Sequence, residues 1–79
     1  MQVTQRELDA FMDEVERLGY MVEYGALLSY GTAEVVIYRN GAGDVYEWGY
    51  DIRQIVQDLG FRDYDMTSES DKSIVIELY

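Results

Sequence analysis

One short pattern occurs twice in this chain and sets what it can fold into. Val15-Glu16-Arg17-Leu18-Gly19-Tyr20 matches Val56-Gln57-Asp58-Leu59-Gly60-Phe61 at its apolar, glycine and aromatic positions. In both, a run with helical periodicity ends on leucine, glycine follows, and an aromatic comes next. Glycine there supplies the left-handed backbone that closes a helix, and the aromatic folds back over the last turn. The chain therefore holds two helices ended by the same chemistry. Shared stop chemistry is the simpler account of the echo, and a duplicated half-domain is the other.

Thr4 followed by Glu7 is a capping-box pattern, and Leu8, Phe11, Met12, Val15 and Leu18 form one apolar stripe. A helix is expected over residues 5–18. The second helix is expected to start at Asp51, with Gln54 three residues on and Tyr50 as a staple before the cap. Its stripe is Ile52, Ile55, Val56 and Leu59.

Elsewhere the period is two. Strands are expected at Tyr20–Tyr24, Ala26–Tyr30, Ala33–Arg39, Asp44–Gly49, Asp63–Thr67 and Ser73–Tyr79, with the second of these the least marked. Asn40-Gly41-Ala42-Gly43 reads as the turn of a hairpin joining Ala33–Arg39 to Asp44–Gly49, and Glu69–Lys72 as a second turn. The expected fold is a single α+β domain over residues 1–79, in the order α-β-β-β-β-α-β-β. Its largely antiparallel sheet has four to six strands, with both helices on one face. The other face is then expected to carry Tyr38, Tyr46, Trp48, Glu77 and Tyr79, partly open to water.

Composition bears on function. The 79 residues include 16 acidic and 6 basic side chains, for a net charge of −10, with no histidine, cysteine or proline. A chain with one lysine, Lys72, is repelled by phosphate and is not expected to bind nucleic acid directly. Zinc and iron–sulfur sites of the common kind lack their ligands, and so do Ser–His and Cys–His nucleophile systems. Residues 63–71 offer alternating oxygen ligands, but an EF-hand needs glycine where Ser68 stands and glutamate where Ile74 stands. Gly41-Ala42-Gly43 resembles the start of a dinucleotide fingerprint, but it joins two expected strands. No apolar run reaches membrane-spanning length. The expectation is a non-enzymatic, cytoplasmic protein without metal or cofactor.

The acidic residues are patterned. Asp9, Asp13 and Glu16 lie at i, i+4 and i+7 beside the first helix's apolar stripe, ~5–6 Å between neighbours. Such a row either solvates the helix or stands in for phosphates before a basic groove. The acidity is also distributed, with net charges of −4, −2 and −4 over residues 1–30, 31–50 and 51–79. Eight tyrosines and Trp48 exceed the needs of so small a core, and tyrosine suits interfaces because it pairs apolar area with a polar tip. The candidate partner-binding residues are Asp9, Asp13, Glu16, Tyr38, Tyr46, Glu47, Trp48 and Glu77.

In size, charge and tyrosine content the whole chain resembles the small acidic anti-CRISPR proteins of phages. That resemblance implies an inhibitor occupying a surface that a CRISPR surveillance complex reserves for DNA. The chain is also similar in character to the immunity proteins that neutralise bacterial nuclease toxins. A halophile's housekeeping domain, acidic for hydration, is a third expectation.

Overall fold

The computed structural model describes residues 2–38, 45–68 and 73–79, with the side chains of residues 45–48 and 68 outside that description. Its elements are α1 (Gln5–Arg17), β1 (Met21–Leu27), β2 (Ala33–Tyr38), α2 (Val45–Leu59), β3 (Tyr64–Ser68) and β4 (Ser73–Leu78). The sheet is antiparallel throughout, in the order β1-β2-β4-β3.

Helix α1 begins on the capping box. The Glu7 amide donates to Thr4 Oγ1 at 3.2 Å, and the Thr4 amide donates to Glu7 Oε1 at 2.9 Å. Both helices end on Schellman motifs. Gly19 and Gly60 have φ of 97° and 79°. The Tyr20 amide donates to the Val15 carbonyl and the Phe61 amide to the Val56 carbonyl, while each glycine amide donates to the carbonyl three residues back. Phe61 is thereby folded against α1, where its ring meets Phe11 edge-on at 6.0 Å and 90°.

Strand alternation builds the core. Ala33, Val35 and Ile37 of β2 pair with Leu78, Ile76 and Ile74 of β4, and all six are buried. Leu8, Phe11 and Val15 of α1 and Ile52, Ile55 and Val56 of α2 complete one cluster with them. Both helices thus cover the same face of the sheet. Gly25 of β1 lies on that face, where a Cβ would run into Met12 Sδ. A side chain at Gly25 would have to displace the Met12 thioether, which packs over it from α1.

Two α-β-β units make up this topology. The antiparallel pair β2–β4 joins them, and Val35 lies opposite Ile76, 41 residues on. Gly19 and Gly60 have the same separation. The repeated stop pattern therefore belongs to a repeated architecture.

Three expectations need correction. Among the described residues the order is α-β-β-α-β-β, and its four strands fall within the expected four to six. The expected strands Tyr20–Tyr24 and Ala26–Tyr30 merge into one strand, β1, which ends at Leu27, and residues 28–31 turn the chain towards β2. The register of β1 shifts by one residue between Val22 and Tyr24, a bulge at Glu23 that keeps both halves paired with β2. Asp44–Gly49 is not the return strand of a hairpin, because residues 45–49 open α2 and β2 pairs instead with β1 and β4. Val45, Trp48, Ile52, Ile55 and Leu59 are spaced for a helix as well as Tyr46 and Trp48 are for a strand, and the helix wins by continuity with Ile52–Leu59. Asp51 is consequently interior to α2. It accepts a hydrogen bond from Tyr20 Oη at 2.7 Å, which ties the chain after α1 to α2. The expected turns at 40–43 and 69–72 lie outside the described residues.

Candidate partner-binding face

The pairing register places the paired, described residues of the sheet's second face. Across the strands it runs in rows: Met21–Tyr38–Ser73, then Tyr24–Val36–Val75–Thr67, then Ala26–Glu34–Glu77–Asp65. Rows are ~7 Å apart and neighbouring strands ~4.8 Å apart. The first two rows are mainly aromatic and aliphatic. The third carries three carboxylates on three adjacent strands, β2, β4 and β3.

Neither helix covers this face. Tyr24 is 51% exposed and Met21 52%, while Glu34, Val36, Tyr38, Val75 and Glu77 are half-buried among their neighbours. Asp65 is exposed. The three carboxylates of the third row occupy directly paired positions on three neighbouring strands.

Like charges directly opposite on neighbouring strands oppose folding. Two hydroxyls answer part of that cost. Thr32 Oγ1, in a side chain only 8% exposed, donates to Glu77 Oε2 at 3.1 Å. Tyr79 Oη donates to Asp65 Oδ2 at 2.6 Å. The Tyr79 hydroxyl is pushed up to about 12, first by this hydrogen bond, then by burial and by the charges of Asp65, Glu77 and Tyr30. It stays a neutral donor across the ordinary pH range.

No described cation lies on a strand. Arg6 and Arg17 are on α1, Arg53 is on α2, and Arg62 is in the connection before β3. Arg17 is paired with Glu14 of its own helix. Arg39 and Lys72 are outside the described residues. Among the described residues the open face is therefore negative at one end and apolar in the middle, with Tyr24, Tyr38 and Tyr79 about it.

The eight candidate residues are divided by this fold. Tyr38 and Glu77 share the open face. Asp9, Asp13 and Glu16 are exposed on α1, which packs on the opposite side of the sheet. Asp9 accepts a hydrogen bond from Gln5 Nε2 at 2.9 Å. Tyr46, Glu47 and Trp48 belong to α2 and not to the sheet, so they leave the face where strand alternation had placed Tyr46 and Trp48. Glu34, Asp65 and Tyr24 join the face instead. Glu34 was within reach of sequence reasoning, because it alternates in phase with Tyr38. Asp65 required the β3–β4 register, and Tyr24 required the bulge at Glu23.

Among the described residues two concavities are also present, and the more open one, about 430 Å³, is lined by Glu16, Gly19, Tyr20, Met21 and Val22. The cavity bordered by Gln2, Val3, Glu7, Phe61 and Arg62 is about 20 Å³, room for one water. Among the described residues no group of three Asp or Glu side chains is arranged to hold a metal ion, and no helix is long and apolar enough to cross a membrane. Comparison with known protein families finds none that matches this chain, and no curated protein matches it in sequence.

Proposed function

We propose that this protein is a non-enzymatic inhibitor that covers a basic, nucleic-acid-binding surface of a partner protein, with DNA binding by a CRISPR surveillance complex as the specific target. The observation that carries the reading is the carboxylate row Glu34–Glu77–Asp65 beside exposed Tyr24 and half-buried Val36 and Val75 on an uncovered sheet face. Carboxylates held by paired strands are pre-placed and lose little freedom on binding. The tyrosines and valines beside them supply the apolar area that holds a complex once formed. A net charge of −10 adds a long-range field that steers the encounter with a cationic groove. The exposed row Asp9–Asp13–Glu16 contributes to that field from the other side of the molecule.

The test is competition. The protein is immobilised, and a nucleic-acid-binding partner is captured from a host lysate and purified. The partner is then offered to the protein with and without its nucleic-acid ligand. Mutually exclusive binding is expected. A ternary complex, or failure to capture any nucleic-acid-binding protein, contradicts the reading.

A further inference from the structure

Resting on that reading, we infer that the open face recognises arginine in particular, and that its occupant is an arginine-bearing protein segment rather than a generally cationic one. Three arrangements lead there. First, Glu34 and Glu77 are direct cross-strand partners, and so are Glu77 and Asp65. Directly opposed side chains have Cβ atoms ~4.5–5.5 Å apart, so each adjacent pair of carboxylates can be bridged by one group with donors on two edges. A guanidinium has five N–H donors in a planar fork, whereas an ammonium is a compact charge that engages one site well and keeps its water.

Second, the bridging carboxylates are already oriented. Thr32 and Tyr79 donate to Glu77 and Asp65, and each hydrogen bond occupies one of the ~four lone-pair sites of its carboxylate. Third, the row next to the carboxylates suits the rest of an arginine side chain. Val36 and Val75 pair at the centre of the face and can take the aliphatic stem. Tyr24 is one row from Glu34, a diagonal distance of ~7–8 Å that an aromatic side chain spans, and it offers a ring on which a guanidinium stacks. Lysine gains little from a ring beside a carboxylate bridge, because its charge is not planar.

The face is also poised to gain from such a ligand. Three carboxylates side by side repel in the free protein, and a bridging cation removes that repulsion on binding. A second copy of this chain would instead bring its own −10 charge to the surface, which argues against self-association there.

The experiment uses the full 79-residue chain and two synthetic peptides of identical length and charge, one with arginines and the other with lysines at the same positions. Binding is followed at constant ionic strength by backbone amide shifts. The arginine peptide is expected to bind about tenfold more tightly, with shifts centred on Tyr24, Glu34, Asp65, Val75 and Glu77. Glu34→Gln combined with Asp65→Asn should bring it down to the lysine peptide's affinity. Equal affinities in the wild-type protein, shifts confined to α1, or no binding by either peptide would overturn the inference. Equal affinities leave the basic-partner reading standing, because that reading is judged separately by competition with nucleic acid.

Discussion

Glu34 and Glu77 stand directly opposite one another on adjacent strands, two like charges held side by side on the uncovered face of the sheet. A domain folding for stability alone gains nothing from that pairing. Replacing Glu34 with glutamine removes one charge and keeps the shape. The expected result is a gain of about 0.2–1 kcal/mol in urea unfolding, together with weaker binding to a basic partner. A variant that is both more stable and a poorer binder marks a position kept for function. Unchanged binding would remove Glu34 from the interface.

Changing Asp9, Asp13 and Glu16 together to the corresponding amides tests the other acidic row. These side chains are exposed on α1, away from the open face. The expected effect is slower association at low salt with little change in dissociation, because they act through the field and not through contact. Stopped-flow association and dissociation rates with the purified partner separate the two. A large rise in the dissociation rate would place this helix in the interface.

Tyr79 provides a titration test of the face. Its hydroxyl has an ordinary value of 10 and is pushed up to about 12, chiefly by donating to Asp65. Folding therefore favours the neutral phenol. That contribution is complete below pH 10 and is lost as pH rises from 10 towards 12. Following the Tyr79 ring carbon by NMR should show late titration in the wild-type protein and a return towards 10 in Asp65→Asn. An unchanged midpoint in that variant would mean the hydrogen bond is not the cause.

Gly25 tests the packing of α1 on the sheet. A Cβ there would overlap Met12 Sδ, so Gly25→Val must displace that side chain. A loss of about 1–3 kcal/mol is expected, measured by urea unfolding. Met12→Ala in the same background should recover part of it, since the two sites share one space. Purely additive losses would show that the clash is not with Met12.

Local chemistry was the most legible part of this fold. Gly19 and Gly60 mark helix ends because a left-handed residue is needed there, whatever lies further away. The capping box of Thr4 and Glu7 is local in the same sense. Residues 45–49 were not legible, because Val45, Trp48 and Ile52 satisfy a helical period while Tyr46 and Trp48 satisfy a strand's. Only continuity with the rest of α2 separates the two. The candidate site was half legible. Glu34, Tyr38 and Glu77 follow from alternation within their own strands. Asp65 and Tyr24 arrive through pairing between strands, which a single sequence does not state.

The most direct test of the central claim is partner binding by wild-type protein and by the triple variant Glu34→Gln, Asp65→Asn, Glu77→Gln, each in competition with the partner's nucleic-acid ligand. The wild-type protein should be displaced by nucleic acid, and its association rate should fall as salt shortens the screening length to ~3 Å at 1 M. The triple variant should stay folded and lose most of the affinity. If partner, protein and nucleic acid form a ternary complex, or the triple variant binds as well as the wild type, the open face is not a stand-in for nucleic acid and the account is wrong.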